Sequence, residues 1–291
     1  MTAARHHITA AGIAATIAAD GAELCSLCDG AGQELLWQAG PAWPRHAPVL
    51  FPIVGRLAGD TLRHAGRSYR MTQHGFARDR RFAWAAQSDQ ACRLVLSDDA
   101  ATRACYPFAF RLELGFAVAG DTLTVTYALH NPGTEVLPAS FGAHPGFRWP
   151  LRDGVAKSAH QLAFAEPEPA PVRRLADGLL LADPVPSPIT GQVLRLAEAL
   201  FAADAIILDR PASRVVRFAA PGGPAIVVAW QGFRQLGLWM RPGGDFLCIE
   251  PWHGLADPVG FAGDFTDKPG LLHIPPGGTA EAEYSVRLAG G

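Results

Sequence analysis

The stretch Arg111-Leu-Glu-Leu-Gly-Phe-Ala-Val-Ala-Gly-Asp-Thr-Leu-Thr-Val-Thr-Tyr-Ala-Leu129 decides the fold. Leu112, Leu114, Phe116 and Val118 share one face at period 2, and Arg111, Glu113, Gly115 and Ala117 share the other. After Gly120-Asp121 the alternation resumes, with Leu123, Val125, Tyr127 and Leu129 inward and three threonines outward. Strict alternation on both sides of a turn predicts a half-buried antiparallel hairpin. Asn131-Pro132-Gly133 ends it, and a third strand is predicted from Val136 to Phe141.

Short strand signals recur outward from this hairpin. Ile8 to Ile17 and Ala22 to Cys28 flank Asp20-Gly21, a tight-turn dipeptide. Val215 to Phe218, Ala225 to Trp230, Leu236 to Met240 and Tyr284 to Leu288 read as further strands. Only Val193 to Phe201 has helical spacing, through Val193, Leu196, Ala197 and Leu200. Glu166 to Pro188, with six prolines, reads as a loop excursion within one domain. The 31 glycines and 24 prolines supply turns. The expectation is an all-β, two-sheet antiparallel sandwich forming a single domain over residues 1–291.

Composition excludes several function classes. A formal net charge of −2, with lysine only at Lys157 and Lys268, gives no basic surface for nucleic acid. No segment approaches the roughly 20 apolar residues of a membrane span. A chain of 291 residues buries about 75% of its unfolded surface and needs no disulfide staples. Five cysteines without framework spacing point to a reducing, cytoplasmic setting. Cys25 and Cys28 sit on a predicted strand, where a spacing of three puts them on opposite faces, so both read as structural. Arg5 followed by Ile8 to Ala19 faintly resembles a signal peptide, but Gly12 and the many alanines favour a first hairpin.

The chemistry concentrates where apolar runs end. Phe246-Leu-Cys-Ile249 leads into Glu250-Pro251-Trp252-His253. A carboxyl there, beside an indole, is partly withdrawn from water, which raises its pKa and makes it a better base. The plainer reading is a surface ion pair with an arginine. Leu50 to Val54 leads into Gly55-Arg56, whose planar fork suits either an ion pair or sugar hydroxyls. Gln73-His74-Gly75-Phe76-Ala77-Arg78 and Gly142-Ala143-His144-Pro145-Gly146-Phe147 each hold a histidine hemmed by glycine. Asp204 stands among apolar residues. An imidazole and a carboxyl converging on one cleft supply an acid and a base that both work near neutral pH.

These segments resemble the aldose 1-epimerases, or galactose mutarotases, and within them the LacX-like branch. Gly21 to Leu24, Leu50 to Arg56, Gln73 to Arg78, Tyr106 to Phe108, Ser140 to Phe147, Cys248 to Trp252, Gly263 to Phe265 and Lys268 to Gly270 occur in family order. The resemblance implies the large β-sandwich called a supersandwich, and interconversion of α and β anomers of an aldohexose by ring opening and reclosure. It places Glu250 on the catalytic base, His144 on the general acid, and His74 on the second active-site histidine. It places Arg56 on a sugar-binding arginine and Asp204 on the hydroxyl-binding aspartate. Arg78 is a further ligand contact, and Phe147 or Trp252 would stack on the sugar. Gly55 replaces an asparagine common among enzymes acting on galactose, which leaves the sugar open. Proton transfer alone requires no metal or cofactor. The expected partner is a small sugar, an aldohexose or its phosphate, bound by a monomer or homodimer.

Four rivals remain at this level. One is a non-catalytic carbohydrate-binding sandwich. Another is a metal site from His74, His144 and His253. A third is a glycoside hydrolase using Glu250 and Asp204. The fourth is a hexose-6-phosphate mutarotase with Arg56 or Arg78 on the phosphate.

Overall fold

The predicted hairpin forms, pairing Arg111–Ala119 with Thr122–His130 so that Leu112, Leu114, Leu123 and Leu129 are fully buried. The computed structural model describes residues 4–289. The hairpin lies inside a nine-stranded antiparallel sheet. In spatial order its strands are Val193–Arg195, Gln161–Phe164, Val215–Ala219, Ala225–Gln231, Thr279–Ala289, Thr122–His130, Arg111–Ala119, Ala91–Ser97 and Ala83–Gln87. A second, six-stranded sheet has the order Ile206–Leu208, Gln235–Trp239, Phe246–His253, Phe141–Ala143 and Val49–Leu50, with Gly146–Arg148 also pairing to Phe246–His253. The two sheets pack through side chains such as Tyr127 and Phe141, whose rings stack at 5.8 Å, and the Tyr127 hydroxyl donates to the Gly142 carbonyl. The chain is therefore a large all-β antiparallel sandwich. No helix among the described residues is long and apolar enough to cross a membrane. All five cysteines are free thiols.

Several elements differ from the sequence reading. Ile8 to Ile17 is not one strand; it bends at Gly12, whose N–H donates to the Gly120 carbonyl, giving Arg5–Ala10 and Ile13–Ala18. The Asp20-Gly21 turn does join Ile13–Ala18 to Leu24–Asp29. Val193 to Phe201 is not a helix: Val193–Arg195 is a strand, and only Glu198–Phe201 coils, as a 3₁₀ turn. Leu196 is buried as the helical spacing required, but so is Leu194, which that spacing did not claim, and alternation at 194 and 196 fits extended chain. Within Glu166 to Pro188, Leu175–Ala176 and Leu179–Leu180 form a small hairpin.

The third strand also divides, and this division positions the site. Leu137–Ala139 pairs with Leu272–Ile274, whereas Phe141–Ala143 joins the six-stranded sheet. Between them the Ser140 N–H donates to the Pro52 carbonyl, and the chain crosses from one ladder to the other. That crossing delivers residues 141–148 to the strand carrying Glu250.

Candidate active site

Glu250 does not end its strand. Phe246–His253 continues past Pro251, and Glu250 pairs with Gly237 while Pro251 pairs with Leu236. On its other side the strand meets residues 141–148 in one register: Gly142 opposes Trp252 and Gly146 opposes Cys248. His144 therefore falls directly across from Glu250. The ladder is interrupted at this point, where Pro251 has no N–H to give and the Ile249 N–H donates to the Pro145 carbonyl. Directly opposed residues of an antiparallel pair share a face, and His144 Nε2 lies 3.3 Å from Glu250 Oε2. Both side chains are buried, yet both line a cavity of about 530 Å³. That size falls within the range of small-molecule sites.

Burial sets the electrostatics of the pair. Removal from water, aided by the negative Asp204, pushes the Glu250 carboxyl well above its ordinary range. Burial pulls the His144 imidazole down to about 3, and the positive Arg78 and Arg45 act in the same direction. The pair thus holds one proton between two atoms at near hydrogen-bonding distance. Glu250 Oε1, His144 Nδ1 and Trp252 Nε1 are buried without a partner. Buried polar groups left unpaired cost about 1–3 kcal/mol each.

His74 is held from behind. The Gly55 N–H donates to His74 Nδ1 at 3.2 Å, and the His74 N–H donates to the Gly55 carbonyl at 2.8 Å. An Nδ1 that accepts leaves the proton on Nε2. Burial, with the charges of His144, Arg78 and Arg45, keeps His74 neutral by lowering its pKa well below the ordinary value. Its ring meets the His144 ring edge-on at 5.6 Å. His74 and Gly75 both adopt positive φ, which places the ring on the cavity wall.

Arg78, Asp204 and Trp252 also line the cavity. Arg78 donates to the Gln73 carbonyl, and burial beside Arg45 lowers its pKa to about 10. Asp204 takes a positive φ just before the strand Ile206–Leu208.

Two expected ligand contacts lie elsewhere. The Arg56 guanidinium binds Asp60 through Nε at 2.8 Å and is not part of the cavity lining. Phe147 is fully buried in the core opposite Leu247, so its ring is not offered to a ligand. His253 falls on the opposite strand face from Glu250, and no group of three metal-ligating side chains among the described residues unites it with His74 and His144.

Sequence reasoning missed Trp43 and Trp239. Trp43 lies 5.0 Å from the His144 ring, tilted by 31°, and Trp239 meets the same ring edge-on at 5.7 Å. Both line the cavity. The only signal for Trp43 was an aromatic residue in an otherwise irregular proline-rich loop, Pro41 to Pro48.

Known proteins carry this arrangement of strands. The Aldose 1-epimerase family matches residues 5–270. Protein LacX (chromosomal) of Lactococcus lactis subsp. lactis is 31% identical over 280 residues, covering 92% of this chain and 94% of the relative. The crystal structure of a galactose mutarotase related enzyme from Lactobacillus acidophilus superposes with a TM-score of 0.89 at 30% identity, covering 98% of this chain and 97% of that one. A galactose mutarotase-like protein from Lactobacillus casei gives a TM-score of 0.90 at 28% identity, over 98% of this chain and all of the other. Because the family match runs through nearly the whole length and the relatives align from end to end, the chain belongs to the aldose 1-epimerase family.

Proposed function

We propose that the cavity binds an aldohexose and interconverts its α and β anomers, with Glu250 and His144 exchanging the protons. The observation that carries this reading is the imidazole facing the carboxyl at 3.3 Å on the wall of a sugar-sized cavity. The two oxygens that must change protonation, the anomeric hydroxyl and the ring oxygen, are bonded to the same carbon. An acid and a base that nearly touch match that closeness. Glu250 takes the hydroxyl proton as His144 gives one to the ring oxygen, and the C1–O5 bond opens to the aldehyde. Rotation presents the other carbonyl face, and the ring recloses with the roles reversed.

His144 must carry the proton and Glu250 must lack it when ring opening starts. Burial favours the neutral arrangement, with the proton on Glu250. Both arrangements contain the same single proton, so a shift across 3.3 Å replaces any exchange with solvent. Each positioned acid or base contributes about 10²–10⁴-fold. His74 Nε2–H and Arg78 bind sugar oxygens on which charge develops, Asp204 accepts from a hydroxyl, and the Trp252 indole packs on the sugar's apolar face.

A phosphorylated hexose is the second reading, favoured by two arginines, Arg78 and Arg241, on the lining. Anomer-exchange NMR over a panel of free aldoses and their 6-phosphates tests both. Acceleration of free hexoses without competition by the phosphates supports the first reading. Acceleration confined to the phosphates supports the second. Binding without acceleration of any sugar refutes catalysis.

A further inference from the structure

Cys248 has no part in the proton exchange, yet it stands two residues before Glu250 on one strand. Period 2 puts thiol and carboxyl on the same face. The ligand atoms of Cys248, Glu250 and His144 lie within 4.8 Å of one another, and all three residues are buried. Ligands at the usual distances from one Zn²⁺ ion stand roughly 3.3–3.8 Å apart in a tetrahedral site. The His144–Glu250 separation of 3.3 Å already meets this. The residue facing Cys248 is Gly146, and the space that a Cβ there would take is shared by the Trp43 ring and the Cys248 thiol. His144 Nε2 and Glu250 Oε2, the atoms at the 3.3 Å separation, face each other, while Glu250 Oε1 and His144 Nδ1 have no hydrogen-bond partner.

A second group, Glu23, Cys25 and His46, has similar spacing. Its donors are committed: Glu23 Oε1 accepts the N–H groups of His46 and Ala47, and the Cys25 thiol donates to the Glu23 carbonyl. None of the three lines the cavity.

We propose that His144, Cys248 and Glu250 form a three-ligand site for a soft divalent cation such as Zn²⁺, which inhibits the protein by capping the acid–base pair. On binding, the thiol and carboxyl release their protons to solvent and no redox change occurs. The mix of thiolate, imidazole and carboxylate selects Zn²⁺ or Co²⁺ over Mg²⁺. His144 and Glu250 line the cavity and Cys248 lies outside its lining, so the fourth coordination position of such a site is on the cavity side. The ion is an inhibitor and not part of the anomer exchange.

The test is a Co²⁺ titration of the reduced, chelator-treated full chain, which needs no activity and so stands apart from the mutarotase reading. A thiolate-to-cobalt charge-transfer band should saturate at one equivalent and bleach when Zn²⁺ is added. It should vanish in Cys248→Ala and in His144→Ala, with folding checked by circular dichroism, and persist in Cys25→Ala. Zn²⁺ inhibition of anomer exchange should weaken at least tenfold in Cys248→Ala. Absence of the band in the parent, its survival in both site variants, or its loss in Cys25→Ala overturns the proposal.

Discussion

At the scale of the residue, two side chains are held against their solvation preference. A carboxyl whose pKa is raised by folding costs stability once the pH exceeds its unfolded value near 4.5, and costs nothing below it. Glu250→Gln is therefore expected to stabilise the fold at pH 7 by about 1–2 kcal/mol, a few degrees in Tm. At pH 4 the gain should disappear. Thermal unfolding at the two pH values checks this, and equal gains at both would contradict it. In the proposed mechanism the shared proton also sets the pH profile. Activity fails when the pair gains a second proton, near the lowered His144 value of about 3, or loses its only one, above the ordinary carboxylate range. Hence kcat/KM should stay flat through pH 6.5, and an inflection at the ordinary imidazole pKa would show that His144 is not buried in the working enzyme. As lining residues of one cavity, Glu250, His144, His74, Arg78, Asp204 and Trp252 were legible beforehand, because a polar group at the end of an apolar run stands out and the family resemblance supplied the others. Arg56 and Phe147 were not. Their sequence positions are the same whether the side chain turns toward the cavity, toward Asp60 or into the core, and only packing decides.

At the scale of the element, the site depends on backbone closeness that glycine permits. Gly75 has φ +72°, and a Cβ there would lie 2.3 Å from the Phe51 carbonyl oxygen. Since the obstacle is backbone, Gly75→Ala is expected to cost at least about 2 kcal/mol and to raise KM by displacing His74. Denaturant midpoints and steady-state kinetics measure the two effects. Gly237 opposes Glu250 and leaves room for the Trp252 ring, which an added Cβ would meet at 2.1 Å. Gly237→Ala should push that indole into the cavity and raise KM more than it lowers kcat; unchanged kinetics would remove Trp252 from sugar binding. A sequence does not show what such glycines make room for, because that approaches from distant strands. The break at Ser140 was hidden for a related reason. A run of alternating residues does not reveal that its two halves pair with different ladders, although that switch is what sets His144 opposite Glu250.

At the scale of the molecule, alternation and turn chemistry sufficed for the fold class, since strands such as Arg111–Ala119 and Thr122–His130 bury one face, although Phe246–His253 and Ile206–Leu208 are buried on both. Strand order was beyond reach. The final strand, Thr279–Ala289, does not close an edge; it lies inside the nine-stranded sheet between Thr122–His130 and Ala225–Gln231. Val286, fully buried there, is expected to tolerate no charge: Val286→Asp should cost more than about 4 kcal/mol and abolish soluble expression. The sheets bring a histidine from mid-chain and a glutamate from the last strand of the site into register across one ladder. The most direct test of the proposed proton exchange between them is the anomer-exchange rate of α-glucose and α-galactose, followed by NMR, for the parent chain and for folded Glu250→Gln. The parent should exceed the buffer rate, and the variant should fall by about 10²-fold or more. A Glu250→Gln protein as fast as its parent would contradict the account.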